Sequence, residues 1–314
     1  EDNDKWSLPI ARRELRSLNS ASFCSLLYRP FDYRTVYYDD KLVARPNRRV
    51  LSNLLDLKNN RALLLGRQGM ATGSKTWDVC FVSVGLSDQN IFRRGGGTVF
   101  PLFLSNASGD LISNGINLNF RENLHAQFRE FNPTPSDLFD YIYGILNSQN
   151  YRERYAEFLK MDFPSIPVPS SDALFSSVCK LGKRLSDLHL MSCPSLNAFV
   201  TGCVGEGEFQ VEKVSYSCET VWIDKAKTRG FTGVQEKVWN FHIGGFQVCE
   251  KWLKDRESKG GKNPRPGRVL TNDDIEHYQK IVCALTHTIR TTTEIDEVID
   301  AHGGWPNAFV TANS

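Results

Sequence analysis

The sequence predicts an α+β protein in which strands and helices are segregated, and three observations predict it. Short apolar runs bounded by Gly, Asn or Asp crowd the chain up to about Leu104 and return between Gly207 and Phe246. Between and after them lie stretches with apolar residues at three- and four-residue steps, two of them opened by a Thr with an acid three residues on. The resulting order is strand-rich (28–130), helical (134–190), strand-rich (200–250) and helical (271–299), which is not the βαβ alternation of a doubly wound sheet.

Taken in order, Thr35 to Val43 is rich in β-branched and aromatic residues and reads as strand, with Asp39-Asp40 as its turn. Arg61 to Gly66, Asp78 to Val84 and Thr98 to Leu104 read as short buried strands. Thr134-Pro135-Ser136-Asp137 then signals a helix start, with Thr as N-cap, Pro at the first helical position and an acid at the third. Leu138, Ile142 and Ile145 follow at helical spacing, and after a soft spot at Asn147 to Asn150 the stripe continues through Tyr151, Tyr155, Phe158 and Leu159. Pro164, Pro167 and Pro169 forbid helix. Leu174, Val178, Leu181, Leu185 and Leu188 give the next helix a continuous apolar edge. Alternation through Phe209 and Val211, and through Val214, Tyr216 and Cys218, returns to strand. Thr271 with Asp274 caps the last helix, whose buried stripe is Ile275, Tyr278, Val282, Leu285 and Ile289.

At 314 residues, with 40% hydrophobic and 24% charged residues, the composition is that of a globular chain with a sizeable core. No apolar run approaches the roughly 20 residues that span a bilayer, and Glu1 to Trp6 is polar, so the expectation is a soluble, cytoplasmic protein with no membrane partner. The eight cysteines (Cys24, Cys80, Cys179, Cys193, Cys203, Cys218, Cys249, Cys283) show no CxxC pair and no His at metal-ligand spacing, which predicts buried thiols and no metal site. The chain begins at Glu1 without an initiator Met, as a segment of a longer polypeptide would.

Net charge is only +2, but it is unevenly placed. Lys251, Lys254, Arg256, Lys259, Lys262, Arg265 and Arg268 crowd one stretch against Asp255 and Glu257, leaving the rest of the chain slightly acidic. Lys41, Arg45, Arg48 and Arg49 form a second cluster, and Glu294, Asp296, Glu297 and Asp300 make the last helix acidic. Trp252 lies inside the first cluster, and Tyr37 and Tyr38 precede the second. Basic residues interleaved with aromatics suit phosphate and groove contacts, and equally suit a solvated loop beside a buried Trp.

Catalytic motifs are missing. Gly69-Met-Ala-Thr-Gly73-Ser-Lys75-Thr76 echoes a phosphate-binding P-loop, but Ser74 intervenes where Lys must follow the second Gly. Gly95-Gly96-Gly97 after Arg93-Arg94, and Gly244-Gly245 after His242, read as turns or bulges, or as backbone open to a phosphate or base edge. Neither HExxH nor GxSxG occurs, which leaves zinc and nucleophilic hydrolases without support. A DNA adenine methyltransferase would need a Gly-rich cofactor loop and an [ND]PP[YF] loop. Neither is present, and Asn132-Pro133-Thr134-Pro135 is better explained by the helix cap. This segment alone is therefore expected to be no enzyme.

Several blocks resemble a known family, the C-terminal target-recognition (specificity) domain of Type ISP restriction-modification enzymes and related adenine-specific DNA methylases. Tyr28-Arg-Pro-Phe-Asp-Tyr-Arg34 with Thr35-Val-Tyr-Tyr38 resembles the block where that domain begins. Tyr151-Arg-Glu-Arg-Tyr-Ala-Glu-Phe-Leu-Lys160 and Phe163-Pro-Ser-Ile-Pro-Val-Pro169 resemble its helix and proline exit. Val238-Trp-Asn-Phe-His-Ile-Gly-Gly-Phe-Gln-Val248, Lys251-Trp-Leu-Lys-Asp-Arg256 and Asp273 to Ile289 resemble its closing blocks. One departure is Glu257 to Gly267, which is longer than the short basic link of that block.

The resemblance implies a target-recognition domain over 28–300, a connector at 1–27 from an upstream methyltransferase region, and a tail at 301–314. It implies double-stranded DNA as partner, with the upstream methyltransferase domain of the same polypeptide as a second. It further implies that N6-adenine methylation and cleavage, in bacterial defence against phage, belong to other domains. S-adenosylmethionine, ATP and Mg are expected for those domains and no cofactor for this one. On that reading Arg67, Gln68, Lys75, Arg93 and Arg94 are candidates for base or nearby phosphate contacts. Lys251, Lys254, Arg256, Lys259, Lys262, Arg265 and Arg268 would position the duplex through phosphates, with Arg45, Arg48 and Arg49 as further DNA-binding candidates. The alternatives are an interaction module that couples a methyltransferase to a motor or nuclease without touching DNA, and an enzyme whose site would show as a cleft of His, Asp and Arg.

Overall fold

Pro30-Phe31 is the first strong punctuation in the chain, and it becomes the tip of a hairpin. Helix α1 (Leu8–Glu14) precedes it, and strands β1 (Phe23–Arg29) and β2 (Asp32–Tyr37) form it, paired antiparallel from Phe23↔Tyr37 to Arg29↔Asp32. Phe31 takes a positive φ of 63° and drops its ring into the core, edge-on to Phe81 and His189. The structure, a computed structural model, describes residues 7–14, 23–39, 42–43, 48–55, 60–67, 76–104 and 126–310.

The strand expected from Thr35 to Val43 is corrected in its bounds. It starts at Asp32 and stops at Tyr37, because Leu42 and Val43 both turn back to donate N–H to the Asp39 carbonyl, each at 2.9 Å. Helix α2 (Arg48–Leu55) falls where the sequence suggested strand-rich chain. Strands β3 (Arg61–Leu65), β4 (Cys80–Val84), β5 (Leu86–Ser87) and β6 (Thr98–Pro101) follow. β3 is the centre of an antiparallel sheet ordered β4-β3-β6, and β5 joins β1 in parallel on the other side of the Gly85 bend.

The helical layer forms as its caps dictate. Thr134 and Asp137 close a capping box at the start of α3 (Pro135–Asn147). The soft spot is a real break: Ser148 ends α3 and caps α4 (Gln149–Arg154), accepting from the Tyr151 N–H at 3.0 Å while Asp296 accepts from its hydroxyl. The stripe through Leu159 is therefore carried on two short helices, α4 and α5 (Ala156–Met161), before the prolines. Helix α6 (Asp172–His189) crosses α3 very closely, since a Cβ on Gly182 would lie 1.8 Å from the Asp140 carbonyl oxygen.

Strands β7 (Gly202–Val204), β8 (Ser215–Ser217), β9 (Thr220–Trp222) and β10 (Gly230–Thr232) make a second antiparallel sheet in the order β7-β10-β9-β8. After the short helix α7 (Glu236–Trp239), β11 (His242–Ile243) and β12 (Phe246–Gln247) form a hairpin around Gly244-Gly245 that leads into α8 (Val248–Lys254). The chain closes with α9 (Asn272–Ala301), opened by the expected Thr271–Asp274 capping box. This mixture of helices with several small sheets is the α+β architecture the sequence predicted.

Buried apolar side chains from the sheets and the helices form one continuous cluster. His189 sits inside it, stacked on Phe81 of β4, with Tyr143 of α3 at 2.5 Å and Thr288 of α9 at 2.9 Å on its two ring nitrogens. Burial pushes its pKa down to about 3, so it is a neutral core residue joining three elements. Arg61 of β3 pins the first sheet to the helices by pairing with Asp140 at 2.6 Å. The expectation of uniformly buried thiols is corrected: Cys80, Cys249 and Cys283 are buried, but Cys203 and Cys218 lie exposed on the short strands and turns of the second sheet. Among the described residues no helix is long and apolar enough to cross a membrane.

Candidate nucleic-acid interface

Much of the block Tyr28 to Arg34 is structural. Asp32, 1% exposed, accepts from Arg34 of its own hairpin at 2.9 Å and from Arg256, just beyond α8, at 3.0 Å. Arg256 lies 3.5 Å over the Trp252 ring and donates to the Trp252 carbonyl. Its side chain is only 10% exposed, so this cation is turned inward. His277 of α9 completes the clamp through the Phe31 carbonyl at 2.7 Å. The opening and closing blocks of the sequence thus hold each other.

The remaining cations of the basic stretch differ in how they are held. Lys251 pairs with Asp255 at 2.5 Å, and Lys254 stands 3.8 and 3.9 Å from Glu250 and Glu257. Arg268 meets Asp274 at the start of α9 at 2.8 Å, and Arg265 donates to the Asp255 carbonyl at 2.9 Å. From Arg256 to Arg268 the chain makes an excursion whose neck is tied by the Arg268 N–H to the Arg256 carbonyl and by Val211, which bonds both strands of the neck. Gly267 is obligatory there, since a Cβ would lie 1.9 Å from the Val211 oxygen. Lys259 and Arg265 bridge to each other, and the tip beyond them is open, with nothing within 4 Å of where a Cβ on Gly260 or Gly261 would be. Lys259 and Lys262 are exposed and have no carboxylate partner among the described residues.

Arg93 and Arg94 belong to a different kind of loop. The turn from Asp88 to Gly97 joins β5 to β6 and buries Ile91 and Phe92 completely enough to act as a plug. Gly97 in the turn and Gly244 in the β11–β12 hairpin are explained by that plug, because Cβ atoms there would lie 2.6 Å from Ile91 and 2.1 Å from the Phe92 ring. The two glycine-rich features of the sequence therefore meet: the Arg93 N–H donates to the Gly244 carbonyl at 2.7 Å, and Gly244 and Gly245 donate to the carbonyl and carboxylate of Asp78 at 2.9 and 3.1 Å. Arg94, Gly95 and Gly96 follow with φ of 66°, 84° and 86°, which lifts both arginine side chains into solvent.

Arg67 leaves the end of β3 half exposed, 3.8 Å from Asp162 and over the Phe163 ring. Arg48 and Arg49 open α2, which packs beside β5 and β6 and thus beside the turn, but their side chains lie outside the described residues. Lys41, Arg45, Gln68, Lys75 and most of the P-loop echo from Gly69 to Thr76 also lie outside them. The structure does not bring all the candidate cations together, since several basic residues of the 251–268 stretch serve the clamp and the helix ends. The sequence reading missed Asp32 as the hub of that clamp and passed over Gln89 and Asn90 in the turn. A signal existed for the turn in the polar triplet Asp88-Gln89-Asn90 directly before the apolar pair Ile91-Phe92.

Asp78 is buried, its carboxyl pushed up by desolvation and engaged by Gly245, while His242 nearby gives Nδ1 to the Asn240 carbonyl at 2.6 Å. Among the described residues no group of three or more His, Cys, Asp or Glu side chains is placed to hold a metal ion.

The fold is a mixture of small sheets and helices over one buried core, with exposed arginines and lysines on its loops. The family model described as the Type ISP C-terminal specificity domain matches residues 1–294, and the chain belongs to that family. Among solved structures it is similar to a nuclease-deletion mutant of the Type ISP restriction-modification enzyme LlaGI in complex with a DNA substrate mimic, at a TM-score of 0.64 and 20% identity over 90% of this chain and 26% of that one. It is similar to the ATP-dependent Type ISP enzyme LlaBIII bound to DNA, at 0.70 and 22% over 93% and 20% of the two chains. It also matches the DrdV–DNA complex, at 0.70 and 18% over 90% and 29%. The chain thus spans a fifth to under a third of the length of these proteins. No curated protein matches it.

Proposed function

We propose that this chain recognises double-stranded DNA in a sequence-specific manner as the specificity part of a Type ISP-like restriction-modification enzyme. On this reading it directs N6-adenine methylation and cleavage that other domains perform, it catalyses nothing itself, and S-adenosylmethionine, ATP and Mg serve those other domains. The observation that carries the proposal is membership of the specificity-domain family together with exposed cations on loops anchored from beneath. Phosphate contacts by lysines supply affinity and salt dependence, and side chains on a fixed backbone supply discrimination at base edges. The test is selection from a randomised duplex pool, followed by affinity against salt on the selected and a scrambled duplex. A reader enriches one site and holds it at least about a thousandfold more tightly than the scrambled one. Equal affinity for both would leave only a sequence-blind DNA binder.

A second reading draws on one observation, an apolar groove of about 640 Å³ under α5 and the proline exit, where Phe158 and Met161 are 68% and 67% exposed. A patch of that kind suits a protein contact, and a module that only couples other domains would show no affinity for any duplex.

A further inference from the structure

We infer that the turn from Asp88 to Gly97 is the base-reading element of this domain, with Gln89 and Asn90 reading adenine edges beside Arg93 and Arg94 reading guanine. The inference rests on the DNA-reading role proposed above. Four polar side chains stand exposed on this turn, and among the described residues none of them has a side-chain hydrogen bond or ion pair. Loops are in general more mobile than the elements they connect, but the backbone of this one is hydrogen-bonded at both ends and in the middle. The Asp88 N–H donates to the Leu27 carbonyl at 3.0 Å, its carboxylate takes the Asn90 N–H at 2.6 Å and faces Arg29 at 3.3 Å. The Ile91 N–H returns to Asp88 at 3.0 Å and the Gly97 N–H to Gln89 at 3.4 Å, while Phe92 is locked under Gly244.

Discrimination needs donors and acceptors held in register with a base edge and left unsatisfied until the base arrives. An amide side chain presents the paired donor and acceptor that adenine N7 and N6 require, and a guanidinium the paired donors that guanine N7 and O6 require. Both chemistries are adjacent on this turn, and Gln89 and Asn90 also line a cleft of about 710 Å³ together with Val50 and Leu51 of α2. The basic stretch differs: Arg256 is turned inward, Lys251, Lys254 and Arg268 face carboxylates, Arg265 donates to the Asp255 carbonyl, and only Lys259, at the bridge to Arg265, and Lys262, beyond it, are exposed without a carboxylate among the described residues.

The experiment is the same duplex selection, run on the full chain and on the double variants Gln89→Ala/Asn90→Ala and Arg93→Ala/Arg94→Ala. The amide variant is expected to lose an adenine preference and about tenfold in affinity for the selected site, with less than about twofold change on a scrambled duplex. The arginine variant is expected to lose a guanine preference in the same way. Gln89→Glu keeps the shape but can only accept, so it should exchange an adenine for a cytosine at one position. A motif that survives all three substitutions overturns the assignment while leaving DNA recognition intact. A parent chain that enriches no site removes the DNA-reading role itself and the assignment with it. Thermal melting of each variant within a few degrees of the parent confirms that the turn, whose anchors are untouched, still folds.

Discussion

The turn from Asp88 to Gly97 and the excursion from Arg256 to Arg268 both present basic residues to solvent, yet they are built on opposite principles. The turn is short and sits on two buried apolar side chains, so its backbone is part of the core and only its polar side chains are free. The excursion is tied at its neck and at the Lys259–Arg265 bridge and open at Gly260 and Gly261, so its charge stands clear of the core. A fixed backbone is what base discrimination requires, whereas phosphate neutralisation depends on charge and reach. Residue type alone does not separate them, because arginines occur in both.

The strongest way to break the comparison is to remove what anchors each region. Arg256→Ala leaves buried Asp32 with only the more exposed Arg34 as its cation and removes the stacking over Trp252, and loss of one partner from a buried pair costs up to about 3–5 kcal/mol. The urea midpoint is expected to fall accordingly, even though the substitution lies within the apparent DNA-binding stretch. An unchanged midpoint would show that the clamp is incidental. Gly244→Ala comes next. A Cβ there would meet the Phe92 ring at 2.1 Å on a residue with φ of 59°, and strain plus overpacking of this kind costs about 2–4 kcal/mol. Because Phe92 is the plug of the turn, site-specific DNA affinity should fall with stability, which a Gly260→Ala change at the open tip should leave untouched.

The helical scaffold under both regions predicts a pH dependence. Burial lowers the His189 pKa to about 3, against about 6.5 for an unperturbed imidazole. The unfolded chain therefore takes up this proton first. The contribution is complete above pH 6.5 and declines as pH falls from there toward 3, by up to about 1.4 kcal/mol per pH unit. Asp78, Asp140 and Asp296 have carboxyls raised by burial and act in the opposite direction. The difference in urea midpoint between the parent chain and His189→Gln, followed from pH 7 to pH 5, isolates the imidazole. A constant difference would mean that His189 takes up its proton in the fold as readily as in the unfolded chain.

These outcomes bear on what the sequence discloses. Thr134 with Asp137 and Thr271 with Asp274 announced both capping boxes, because a cap is a contact three residues long and its partners are visible side by side. The periodic stripes of α3, α6 and α9 and the apolar runs of β3 and β4 were legible for the same reason. Strand β1 was not, since Phe23 to Arg29 owes its conformation to β2 on one side and to β5, some sixty residues on, at the other. Helix α2 is only eight residues long and opens on two arginines, so Val50, Leu51 and Leu54 make too short a stripe to set a helical period. Within the site, the pairing of Lys251 with Asp255 follows from helical spacing, but the fate of Arg256 depends on Asp32, 224 residues away. Composition shows that a cation is present, and only the fold shows whether it is free.

The smallest effect is also the one that most sharpens the difference between the two regions. Lys259 and Lys262 have exposed side chains without carboxylate partners among the described residues, so replacing both with Ala should leave stability within about 0.5 kcal/mol. If they touch phosphate, the slope of log affinity against log salt should flatten by about 1.8, at roughly 0.9 for each phosphate that is no longer neutralised. The flattening should be the same on a selected and on a scrambled duplex, because phosphates carry no sequence. Arg93 and Arg94, held on the anchored turn, should give the reverse pattern, with a modest change in slope and a loss confined to the selected site. Equal behaviour of the two pairs would mean that anchoring the backbone makes no difference to what a cation reads.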